Sequence, residues 1–196
     1  MNITSDLVME TDDTDISDLD LKQRDINLLN IVDEEDLSNF TFEGLKRRLK
    51  IHPEKLSRIL SRLTSQELLK KQNNGYSITT KAKKIIKPKP ANSKAQNILL
   101  LQTFLPPNIS IKNIVDNLRN KWFGQLRWLG CSSTNNKVTL KWITTDCRNI
   151  ISASFYQNIL QIDGKTVSND DINSALNASH QLMGHITKLI TSTEQN

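Results

Sequence analysis

The stretch PEKLSRILSRLTS, residues 53–65, sets Ser57, Arg58 and Ser61 on the side of a helix away from Leu56, Ile59, Leu60 and Leu63. A guanidinium presented this way is a planar fork of donors, matched to the two acceptors on the major-groove edge of guanine. Ser57 and Ser61 each give or accept one further hydrogen bond. An α-helix fits the major groove of B-form DNA, where base edges are distinguishable. Lys55 and Arg62, on the flanks of the same helix, suit phosphates, which set register and not sequence.

A second group follows in KKQNNGYSITTKAKKII, residues 70–86. Asn-Gly supplies the positive φ angles of a tight hairpin turn. A hairpin needs no lysines to fold, so the cations around this one point to a partner outside the fold. Lys70, Lys71, Gln72, Asn73 and Asn74 would meet a nucleic-acid backbone or minor groove. Lys46 and Arg47, on an earlier helical segment, would reach a phosphate strand.

The charge of the chain is unevenly spread. Residues 1–36 carry twelve acids against two basic residues, and residues 37–97 carry fifteen basic residues against three acids. A basic block this dense is the electrostatic footprint of a polyanion partner, or else a solvated surface. The acidic leader is either solvated too or competes with DNA for the basic face.

Other chemistries find little support. No G-x-S-x-G setting, glycine-rich phosphate loop or paired carboxylates occur, so neither an enzyme nor a cofactor is expected. His180 and His185 are five apart, off a common helix face, and read as ordinary polar positions. His52 reads as a helix cap. Cys131 and Cys147 form no metal-ligand pattern and read as small structural thiols in a reducing compartment. Trp122, Trp128 and Trp142 suit either an apolar pocket or, by preference, a core. The longest apolar run, Ile98–Leu101, is too short to span a bilayer, and no secretory leader opens the chain. The expectation is a cytoplasmic protein.

The elements that must position these residues follow from periodicity. Residues 1–18 are acidic and poor in apolar side chains, and read as disordered. A first helix carries Leu21, Leu28, Leu29 and Val32. A second starts at Thr41 with Phe42, Leu45 and Leu49 as its stripe. Pro53 opens the third, where its missing N–H costs nothing. Two strands flank Asn73-Asn74-Gly75, and Thr80 caps a short basic helix with Ala82, Ile85 and Ile86. Residues 88–97 read as a proline-interrupted linker. Beyond it, a strand at 98–105 precedes a helix capped by Ser110, with Ile111, Ile114, Val115, Leu118 and Trp122 at helical spacing. Four strands then lead to a long helix opened by Ser168 or Asp170. Alternation puts Leu126 and Trp128, Val138, Leu140 and Trp142, and Ile151, Ala153 and Phe155 on faces that can be buried together. Residues 98–190 thus read as an antiparallel sheet backed by two helices, in an α+β chain.

Three helices, a hairpin and a short basic helix is the order of a winged helix-turn-helix. Residues 19–87 resemble the winged-helix module of archaeal and bacterial transcription regulators of the MarR-like and ArnR-like kind. The segment Gly75–Ile86, GYSITTKAKKII, is similar to the wing-to-helix phrase G-Y-x-L-T-x-K-G-K-x-L-L, with Ala82 where glycine is common. The resemblance covers about a third of the chain. It implies a regulator whose winged helix binds double-stranded DNA. The C-terminal domain, which resembles nothing recognised, would sense a small-molecule or protein effector, or form a homodimer. The first rival expectation is a winged helix that docks on a protein of the transcription or replication machinery, and the second is an enzyme or small-molecule carrier built on the C-terminal domain.

Overall fold

The computed structural model describes residues 21–86, 97–166 and 172–193. The expected acidic tail, the linker up to residue 96 and the start of the last helix lie outside these residues.

The chain is a mixed α+β structure built on one large antiparallel sheet. Its elements are α1 (Gln23–Glu34), β1 (Asn39–Phe40), α2 (Phe42–Leu49), α3 (Pro53–Ser65), β2 (Leu69–Gln72), β3 (Gly75–Ile78) and α4 (Thr80–Ile85). They continue with β4 (Ile98–Phe104), α5 (Ile111–Leu118), β5 (Leu126–Ser133), β6 (Lys137–Thr144), β7 (Asn149–Tyr156), β8 (Ile159–Thr166) and α6 (Ile172–Thr193). Local chemistry explains several boundaries. Thr41 accepts from the Gly44 N–H, and Ser110 from the Asn113 N–H, as N-caps do. Thr79, not Thr80, caps α4, because its hydroxyl accepts from the Ala82 N–H at 3.2 Å. His52 occupies the N-cap position of α3 but makes no side-chain cap bond. At the hairpin, the positive φ falls on Gly75 and not on Asn73 or Asn74. A side chain at Gly75 would run into the Phe40 carbonyl.

The eight strands lie in the order β2-β3-β1-β5-β6-β7-β8-β4, every pair antiparallel. The two-residue β1 is the joint. Phe40 opposes Tyr76 of β3 on one side and Gly130 of β5 on the other. The hairpin and the C-terminal strands are therefore one surface.

One face of the sheet packs on α5 and α6. It buries Leu126, Trp128, Leu140, Trp142, Ile151, Ala153 and Phe155, with Val138 at the margin, the set that alternation brings together. A register shift between Trp128 and Gly130 brings Cys131 back to this first face, while alternation puts Leu129, next to Trp128, on the opposite one. There Leu129, Ile143 and Ile150 join Leu28, Leu29, Leu45, Leu56 and Leu60 in a second core. Each such side chain contributes about 1.5–3 kcal/mol when fully buried. The three sheet residues thus supply roughly 5–9 kcal/mol, on the scale of the net stability of a whole domain.

A polar network ties the same two layers together. The Glu35 carboxylate accepts from Arg48 at 2.7 Å and from Lys165 of β8 at 2.9 Å. Lys141 of β6 donates to the Glu35 carbonyl, and Ser132 of β5 donates to Asp36 at 3.0 Å. Cations at a helix C-terminus also complement its dipole. Gly44 lies so close to β5 that a Cβ there would sit 2.7 Å from the Leu129 carbonyl oxygen.

Candidate functional site

Helix α3 buries Leu56, Ile59, Leu60 and Leu63 and leaves Lys55, Ser57, Arg58 and Ser61 exposed. The Arg58 side chain is 76% exposed, and its nearest carboxylate, Glu54, is 3.9 Å away and equally exposed. A pair of that kind holds its members loosely, so the guanidinium is available. Arg62 is placed differently from the phosphate contact expected of it. It forks onto Asp25 at 3.0 and 2.6 Å, and Asp25 is fully buried while also accepting the Lys22 N–H at 2.9 Å. The helix turns Arg62 inward toward α1, where a buried carboxylate needs a charged partner.

On α2, Lys46 and Arg47 both lean on Glu43, at 2.7 and 3.5 Å. They stay at the surface, half covered. Arg47 also lies over the ring of Trp122, 5.2 Å from its centroid, and Arg127 lies over the same ring at 5.0 Å. Trp122 is therefore not part of a helix stripe or of the core. Helix α5 stops at Leu118, Asn120 takes a left-handed φ of 57°, and the chain swings Trp122 outward to 57% exposure. Trp128 and Trp142 do fill the core, packed edge to face at 5.4 Å.

The hairpin presents Lys70, Lys71, Gln72, Asn73 and Asn74 to solvent. Gln72 is partly used, since its amide donates to the Ser77 hydroxyl at 3.0 Å. Two grooves, of about 720 and 480 Å³, share Lys71, Gln72, Asn73, Asn74, Tyr76 and Asn120 in their walls. The larger extends to Lys70, Arg119 and Cys131, and the smaller to Ser57 and Trp122. The fold thus brings the hairpin tip beside Ser57 in the N-terminal half of α3. It also brings up a third element that sequence reading missed, the 119–127 segment. A signal existed there: Arg119, Lys121 and Arg127 cluster around an aromatic residue.

Burial pushes the Cys131 thiol up from its ordinary range, against the charge of Arg119, so the groove wall carries a thiol and not a thiolate. Burial also pushes the Lys141 ammonium down, opposed by Asp36 and Glu35. Among the described residues, no group of three or more His, Cys, Asp or Glu is placed to hold a metal ion, and no helix is long and apolar enough to cross a membrane. The arrangement offers cations, amides, hydroxyls and an aromatic plate on one surface.

Comparison with family models, curated proteins and solved structures finds no match to this chain.

Proposed function

We propose that residues 21–86 act as a winged helix that binds duplex DNA, and that the chain regulates transcription through it. The single observation that carries this reading is the sorting of charge. Arg48 and Arg62 are bound to buried carboxylates. Arg58, Lys55, Lys70 and Lys71 stand exposed, on α3 and on the hairpin next to it. The order α1-β1-α2-α3-β2-β3 supports the same reading. Helix α3 enters the major groove with Arg58 facing base edges and Ser57 and Ser61 beside it. Lys70, Lys71, Asn73 and Asn74 follow the flanking backbone, and Lys46 and Arg47 reach a phosphate strand. The C-terminal strands with α5 and α6 serve an effector, a second copy or a protein partner.

The test is fluorescence anisotropy of labelled duplex DNA with the full chain across a salt series. Affinity is expected to fall steeply with salt, by a slope of about 0.9 per phosphate neutralised. Arg58→Ala is expected to lower affinity by about 1–3 kcal/mol for the preferred sequence and to relax its specificity. Weak binding that is insensitive to salt and to Arg58→Ala would sink the DNA reading and favour docking on a protein.

A further inference from the structure

The geometry points to a second binding element beside the duplex surface: Trp122, left 57% exposed with the Arg47 and Arg127 guanidiniums 5.2 and 5.0 Å from its ring centroid, stacks its open surface on an unpaired nucleobase of the nucleic-acid partner. The inference deepens the DNA-binding reading and rests on it for the neighbouring duplex. Its ground is the unusual setting of Trp122.

A tryptophan left 57% exposed keeps a large apolar plate in water. Here the plate is held in place. Its neighbour Phe123 is buried against Trp142 and His185, at ring distances of 5.9 and 4.5 Å. The preceding carbonyl, of Lys121, accepts from the Trp142 indole at 3.0 Å. The two cations are fixed as well. Arg127 donates to the Gly124 carbonyl at 2.7 Å, and Arg47 to the Glu43 carbonyl at 3.3 Å. Ring and guanidiniums therefore meet a ligand already arranged, which lowers the ordering cost of binding.

Charge decides the class of ligand. A ring with two guanidiniums on it repels a cationic ligand and suits one that is planar and anionic. A nucleotide has both properties: its base stacks on the ring and its phosphate meets the guanidiniums. The adjoining groove supplies the amides of Gln72 and Asn120, donors and acceptors for a base edge. A base inside a duplex has no free face to offer. The occupant is thus an unpaired nucleotide, at a strand end, a gap or a melted step next to the duplex that α3 engages.

The experiment compares a short blunt duplex, the same duplex extended at its 3′ or 5′ end by a few unpaired thymidines, and oligo(dT) alone. Binding to the full chain is read by anisotropy. The extended duplex is expected to bind about 10-fold more tightly than the blunt one, the scale of one stacked base. Trp122→Ala should bring the affinities for extended and blunt duplexes together, whereas Trp122→Phe should keep most of the difference. Circular dichroism checks that both variants are folded, as an exposed position predicts. Equal affinity of the parent for blunt and extended duplexes overturns the inference while the duplex reading stands. A preference that survives Trp122→Ala also overturns it. Trp122-dependent binding of oligo(dT) with no binding of blunt duplex leaves the inference standing and sinks the duplex reading. Binding of none of the three probes sinks both.

Discussion

At the seam between α1 and the sheet, Glu35 is 2% exposed and is held by Arg48 at 2.7 Å and Lys165 at 2.9 Å. On α3, Arg58 stands 76% exposed with its nearest carboxylate 3.9 Å away. The same residue types are used in opposite ways. In the seam, charge is desolvated, so each ion must find a partner, and removing one strands the other. On the exposed face, cations are hydrated and loosely paired, and little is lost from the fold when one is removed. Net charge alone does not separate these two populations. The pairing inside the fold does, and it marks the exposed, loosely held remainder as the part open to a partner.

The sharpest way to break this contrast is at the seam. A Cβ at Gly130 would strike the Asn39 carbonyl on β1, and backbone there has little room to move. Gly130→Ala is expected to cost about 3 kcal/mol, which for a chain this size lowers Tm by roughly 6–12 °C. Cys131, 3% exposed beside that joint, reports the opening: iodoacetamide should label Cys147 first in the parent, and Cys131 should gain reactivity in the variant. An unchanged Tm would show that β1 and β5 are not tightly joined.

Next in size is Asp25→Ala. It leaves Arg62 without its buried carboxylate and α1 without the bond that the Lys22 N–H donates to Asp25. The side chain of Arg62 is 29% exposed, so solvent screens part of the loss. A cost of about 2 kcal/mol is expected, below the 3–5 typical of a fully buried pair. Urea unfolding would show it as a lower midpoint at constant slope.

On the exposed face the order reverses. Replacing Lys70 and Lys71 together by alanine should leave Tm within about 1 °C of the parent. Duplex affinity at low salt should fall, and the slope of log affinity against log salt should lessen by about two. A large stability loss would return these lysines to the fold.

The smallest effect is one of pH. Lys141 is pushed below the ordinary lysine value by burial. Between its folded value and its ordinary one, the unfolded chain binds more protons than the folded chain. Stability therefore rises with pH across that window, and the penalty is fully present below it. Lys141→Met should flatten this alkaline rise in a series of urea midpoints. An identical slope in the variant would remove Lys141 as its source.

How much of this was legible depends on how far each feature reaches along the chain. Pro53 and the Leu56, Ile59, Leu60, Leu63 stripe gave α3 its bounds, because a helix is specified by its own residues. The α+β sheet with its two backing helices was legible from period-two alternation. The joint was not. Asn39-Phe40 is too short for any period, and the need for glycine at positions 44 and 130 depends on a neighbour far away in sequence. Trp122 misled because it lies four residues beyond Leu118, the spacing of a helix that in fact has ended. Arg62 misled because a flank position on α3 faces α1 as well as solvent, and only the fold places Asp25 there.

The second core has a consequence for how the chain is made. Synthesis runs from the N-terminus, so α1 to α4 emerge from the ribosome before Leu129, Ile143 and Ile150 exist. Until β5, β6 and β7 arrive, Leu28, Leu29 and Leu45 lack those neighbours in their core. The nascent segment therefore spends that interval with an apolar face uncovered, and the pairing of Phe40 with Gly130 is a late, long-range step. A pause in translation after α4 would prolong that exposure and raise the demand for chaperones.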